Sequence, residues 1–400
     1  EAIKGLSDVQ IQGFTYQALN GMTEGQIQAI DVADFTTITP AKIHELDSGA
    51  IGALTNPQVY GLDPTQIAQL TPTQMGYFSA DQINNFSDTN IQGLASGQIG
   101  GINPSIIKDI NPSRLILLTG RDSNSTPADF TDDTYGQIGG FGTTQAPEIS
   151  PTAIGQLNTA QIQGFSGAVL SVMSAEEIQS IALAEVPNLL QSQLETLDPT
   201  RITYFSDDQV AALTSPQFGY LNPGQQQALT TSQVSRLSDA KVLLLTAATL
   251  NVMGATSGRI EAISETAIPQ LSSDVIQALN STTISRFNPY QIIAFTDTQI
   301  GLLDDTQIPG LKYQQIDALS QEDINTFGWQ EMLAFDSTEI SSILRPQLAK
   351  FSTAQLLELS ASAKAAIIAS GNLADLNTDL GNQMDAITLD GTSATPTPAH

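Results

Sequence analysis

The chain has 400 residues, no cysteine, and 41 Asp plus Glu against 14 Lys plus Arg, a formal net charge of −27. So acidic a surface repels a phosphate backbone and an anionic membrane surface alike, which argues against nucleic-acid and membrane partners. No apolar run approaches the roughly 20 residues of a membrane span, and disulfides and thiolate metal sites are excluded.

The first block, residues 1–118, carries a large apolar side chain at every eighth position, from Leu6 through Leu54, Leu62, Leu70, Phe78, Phe86 and Leu94 to Leu118. A second apolar row keeps the same period five residues later, from Ile11 through Ile51, Ile67, Ile83, Ile91 and Ile99 to Leu115. The residue after each first-row position is mostly Ser, Thr, Asp or Asn, as at Thr39, Asp63, Thr71 and Ser79 and later at Asn222 and Asn288. These side chains accept hydrogen bonds from the orphan amides of a helix start. Gln three residues later completes a capping box, and the preceding Leu reaches the following Ile as a hydrophobic staple. Proline falls mostly at the first helical position (Pro40, Pro64, Pro72, Pro104, Pro112), where its missing donor costs nothing. Every octad is thus predicted to start a new helix, about five or six residues long.

Two rival readings fail on the spacing. In a strand, positions five apart point to opposite faces, so the two rows would never share a core. In one continuous helix an eight-residue repeat drifts by roughly 80° each time, and the apolar stripe winds right round the surface. The surviving fold is an all-α repeat solenoid, or superhelix, of short capped helices with an eight-residue period. Its predicted core includes Leu54, Ile67, Leu70, Phe78, Ile83, Phe86 and Leu94. One octad buries about two large side chains, worth about 3 to 6 kcal/mol. Ordering its eight residues costs about 8 kcal/mol or more, so octads must stabilise one another by stacking.

The period slips at a polar loop, residues 119–129, and resumes as a second block over 130–253, with Phe130 and Ile138 in the second row. A short insertion, 254–259, precedes the third block, 260–371. Residues 372–390 keep helical spacing at Leu373, Leu376, Leu380 and Met384 and are read as a C-terminal cap, and 391–400 as a flexible Thr/Pro tail. Insertions in a solenoid usually bulge from one face, so the blocks are read as segments of one continuous rod. The chain opens on Glu1 with octads almost at once, which is read as a processed or excised piece of a longer protein.

Catalytic signatures are sparse. The two histidines, His44 and His400, are far apart in sequence, and no triad, zinc motif or phosphate loop can be assembled. Acid pairs such as Asp132-Asp133, Asp207-Asp208, Asp304-Asp305 and Glu176-Glu177 sit at caps and first turns, where the helix dipole favours negative charge. Calcium is the one ion weighed: Asp122, Asn124, Asp129, Asp132 and Asp133 cluster at the first break, in a spacing that matches no EF-hand. No other cofactor is expected. Most aromatics fall in the core rows, whereas Tyr16, Tyr77, Tyr204, Tyr220, Tyr290 and Tyr313 are placed to face outward. Trp329 is read as half-buried beside Phe327.

Units such as Leu70-Thr71-Pro72-Thr73-Gln74-Met75 and Leu157-Asn158-Thr159-Ala160-Gln161-Ile162 resemble the "LTxxQIxxL" tracts of very large repeat-rich bacterial surface and adhesin-like proteins. The likeness covers most of the chain and is specific for architecture. It implies export and a structural or adhesive role, with no active site to carry over. The leading expectation is a non-enzymatic extracellular rod, fibre, sheath or stalk, its bare solenoid ends inviting self-association into filaments. The alternative is an adhesin module holding a protein or glycan on one face. Replacing Ile67 with Asp buries an unpaired charge and is expected to cost several kcal/mol in denaturant unfolding. Unchanged stability would put the second row on the surface.

Overall fold

In a computed structural model the described residues are 3–121 and 135–370. They form α-helices of four to nine residues, with a few 3-10 helices of three to six, and contain no strand. The fold is an all-α repeat solenoid of short helices, with one helix per octad through most of the chain. By compactness the chain divides into two units, Glu1–Gln225 and Gln226–His400, a boundary inside the second octad block rather than at either interruption of the period.

Helix starts follow the local chemistry. Asp63, Thr71, Ser79 and Asn288 sit in extended backbone and accept from amides in the first turn of the next helix. Asn222 does the same, its Oδ1 3.0 Å from the Gln225 amide. Thr39 stands at the cap before Pro40–His44 but makes no side-chain cap bond. Both apolar rows are buried together: Leu54, Ile67, Leu70, Phe78, Ile83, Phe86 and Leu94 all lie in the core, while Thr65 and Ala68 are exposed. Neighbouring first-row rings meet edge to face, as do Phe78 and Phe86 at 5.3 Å and, in the second unit, Phe287 and Phe295 at 5.1 Å.

Successive turns of each unit stack helix on helix. In the first unit Pro40–His44 packs on Pro64–Gln69 and Pro72–Met75 on Ser96–Gly101; in the second, Trp329–Ala334 packs on Thr353–Glu358. What joins the turns is the box glutamine. The Gln82 Oε1 accepts from the Ser79 amide at 2.8 Å, closing its own helix start. Its Nε2 donates at 2.9 Å to the carbonyls of both Ile51 and Leu54, 31 and 28 residues earlier. Gln98 makes the same pair to Ile67 and Leu70, Gln225 to Leu194 and Leu197, and, in the second unit, Gln307 to Ile276 and Leu279. Separations of 28 and 31 residues set one turn at about three and a half octads. Each such amide is buried with its oxygen and both donors engaged.

The first interruption is continuous with this register. Thr119 and Gln137 form one capping box across it: the Thr119 amide donates to Gln137 Oε1 at 2.7 Å, and the Gln137 amide to Thr119 Oγ1 at 3.2 Å. The separation is 18 rather than three, so the intervening segment is spliced between a cap and its helix. Gln137 still reaches the carbonyls of Ile91 and Leu94, now 46 and 43 residues back. Phe130, where the second block was expected to resume, lies outside the described residues. Two glycines have positive φ, Gly136 at 63°, just before Gln137, and Gly258 at 102°, inside the 254–259 insertion, a region closed to most side chains. At Gly136 a Cβ would also lie 2.0 Å from the Gly120 carbonyl oxygen.

The clamp gives a discriminating test. Gln82→Glu keeps the acceptor that closes the box but loses both donors to Ile51 and Leu54, and should cost about 3 kcal/mol in urea unfolding. Ser79→Ala removes only the cap and should cost about 1 kcal/mol. Equal costs would mean that the box alone explains the glutamine.

Candidate functional site

The chemistry-bearing side chains serve the backbone. Asp304 accepts from the amides of Thr306 and Gln307 at 2.9 and 3.1 Å, and Glu177 accepts from the Ser174 amide. Asp207 and Asp208 open the helix Asp207–Ala212. His44 is exposed, its Nδ1 2.8 Å from the Gln69 carbonyl oxygen in the next turn. Among the described residues no three His, Asp or Glu side chains gather as a metal-holding group. The calcium candidates Asp122, Asn124, Asp129, Asp132 and Asp133 lie outside the described residues, as does His400.

The carboxylates divide by their partners. The Thr65 hydroxyl donates to Asp63 at 2.6 Å and, with the Thr65 and Gln66 amides, holds its carboxyl below the ordinary 3.8 against a smaller opposing effect of burial. Thr200 acts on Asp198 in the same way. Asp34 goes upward, because it shares a hydrogen bond with Asp8 and feels the charges of Asp8 and Asp31. Burial pushes Asp317 up and the Lys241 ammonium down.

Several scarce basic residues occupy the register of the box glutamine. Lys42 donates to the Gln12 carbonyl, Arg114 to the Phe86 carbonyl at 3.3 Å and Arg201 to the Met173 carbonyl at 3.5 Å, while Lys241 is buried at the same position. Sequence reasoning assigned the glutamine to the box alone and missed this role. The signal was available: glutamate closes a capping box as well as glutamine, as Glu177 and Glu331 do here, yet an acid-rich chain places glutamine there far more often.

The outward face carries the remaining candidates. Tyr290 is 70% and Trp329 61% exposed, and Tyr16, Tyr60, Tyr77 and Tyr313 are also exposed. Tyr204 and Tyr220 are half-buried instead; the Arg201 guanidinium stands 4.7 Å above the Tyr204 ring. Trp329 departs from the half-buried expectation because it opens its helix on the outer side, while Phe327 turns inward onto Phe335 at 5.5 Å. In the first unit a groove of about 620 Å³ is lined by Arg121, Tyr135, Leu190, Glu195, Pro216 and Tyr220. It combines two aromatic rings, an apolar floor and one charge of each sign, the make-up of a modest recognition site. Among the described residues no helix is long and apolar enough to cross a membrane. No known protein family matches the chain, and no curated protein matches it.

The depressed Asp63 fixes the sign of a pH effect. A carboxyl lowered by folding contributes stability that is present above its unfolded value near 3.8 and lost as pH falls through the folded one. Asp63→Asn keeps a cap that does not titrate. The stability advantage of the parent over this variant should therefore shrink as pH drops from 5 to 3 in parallel urea titrations; a constant difference would contradict the assignment.

Proposed function

We propose that this chain is a non-enzymatic, extracellular structural repeat protein of a bacterial surface, working as a rod, fibre, sheath or stalk. The observation that carries the reading is the recurrence of one amide clamp turn after turn in both units, each closing a turn by the same bonds. Such a protein gains length by repetition, with nearest-neighbour contacts supplying the stability. The positions outside the apolar rows, the caps and the box residues are then released from packing, and they vary here. Acidity supports a solvated extracellular surface and opposes close lateral packing until salt screens it, within about 10 Å at 0.1 M.

A second reading is favoured by one feature. The groove bearing Tyr135, Tyr220, Arg121 and Glu195 suits an adhesin module that holds a protein or glycan, because tyrosine offers an apolar face and a polar tip together. Negative-stain electron microscopy of the purified chain across salt and calcium separates the two. The structural reading predicts end-to-end or laterally bundled filaments, better formed at moderate salt or with divalent cations. Particles that stay single at high concentration under every condition would overturn self-assembly and leave the adhesin reading.

A further inference from the structure

The nitrogen of each box glutamine lies against carbonyl oxygens of the preceding turn, and the chain fills that cradle in different ways. Many octads use an amide, as Gln315 does toward Ile284 and Phe287 at 2.7 and 2.8 Å. Lys42, Arg114 and Arg201 deliver a cation to the same kind of carbonyl. In the helix Gln321–Thr326 the residue is Asp323, which has nothing to donate as a carboxylate.

Asp323 is only 5% exposed. Its Oδ2 accepts from the Ser320 amide at 2.8 Å, so the capping box is complete. Its Oδ1 is buried and has no hydrogen-bond partner. By the register of Gln315 one octad earlier, the carbonyls that receive no side-chain amide are those of Ile292 and Phe295, 31 and 28 residues back; the Ile292 oxygen keeps its bond from the Phe295 backbone amide at 3.1 Å. Aspartate is shorter than glutamine by one methylene, roughly 1.5 Å. As a carboxylate it turns acceptors toward the register at which Gln315 donates. A buried carboxylate oxygen left without a donor, as Asp323 Oδ1 is, is costly.

We propose that Asp323 Oδ1 and the backbone carbonyls of Ile292 and Phe295 form a binding site for a monovalent cation, sodium or potassium. Charge decides the class: one carboxylate neutralises one monovalent ion, whereas calcium would leave a buried excess charge and takes six to eight oxygens. The positive end of a helix is an unusual place for a cation. The ammonium and guanidinium groups at the same register show that the carbonyls outweigh it. The ion takes the place that the chain's own amide or basic side chain holds elsewhere, and the site is independent of the structural or adhesive role.

The test is backbone hydrogen exchange of the full chain, read at Phe295, Ser320 and Phe327, in 200 mM sodium, potassium or tetramethylammonium chloride. The parent protein and Asp323→Gln, Asp305→Asn variants are compared. Gln at position 323 restores the repeat's own residue, so the variant folds, and Asp305 is an exposed acid that controls for general screening. Sodium or potassium should slow exchange at least about threefold relative to tetramethylammonium in the parent and in Asp305→Asn, the factor for an ion with a dissociation constant near 100 mM. Asp323→Gln should show no such difference. Slowing that is equal in all three proteins, or absent from all three, overturns the site in favour of a bridging water or a proton.

Discussion

A helix of five residues is nearly all ends. The first four amides and last four carbonyls of any helix lack partners inside it, so a solenoid built from such pieces buries a dense population of orphan backbone groups. Leaving one of them unpaired costs about 1 to 3 kcal/mol. The box glutamine meets this constraint at two places with one side chain. Its oxygen closes the start of its own helix, and its nitrogen closes the end of a helix one turn earlier, where Ile67 and Leu70, or Ile276 and Leu279, present their carbonyls. The apolar rows supply most of the stabilisation, but the amide sets which turn lies on which.

Asparagines add to the same accounting on a different register. Asn20, Asn84 and Asn251 each donate to a carbonyl in the next turn and accept from a cap amide beside it. Where the box residue is too short, the consequence is visible. Asn90 reaches the Leu62 carbonyl at 2.9 Å, and its own oxygen is left buried without a partner. Thr283 cannot span the gap and is met by Asn251 from the preceding turn at 2.8 Å.

Much of the fold was legible in the sequence because its signals are local. Caps at Asp63, Thr71 and Ser79, prolines at first helical positions and rows such as Ile67 and Leu70 each declare themselves within one octad. The clamp was not legible in that way, since a local box already accounts for glutamine; only its preference over glutamate points further. The spliced cap of Thr119 and Gln137 escaped for a related reason, its partners being separated by an insertion that no periodicity spans. Trp329 was misplaced because proximity to Phe327 in sequence says nothing of which side of the helix start it faces. The outward groove gathers Tyr135, Leu190 and Tyr220 from different turns, a juxtaposition only the superhelical pitch creates.

Side-chain amide hydrogen exchange by NMR tests the clamp most directly. If the glutamine nitrogens bind carbonyls in the preceding turn, the Nε2 protons of Gln66, Gln74 and Gln82 should persist in deuterated water on the timescale of the core backbone amides. Those of the exposed Gln69 and Gln92 should vanish at once. Uniformly rapid loss from all five would contradict the account.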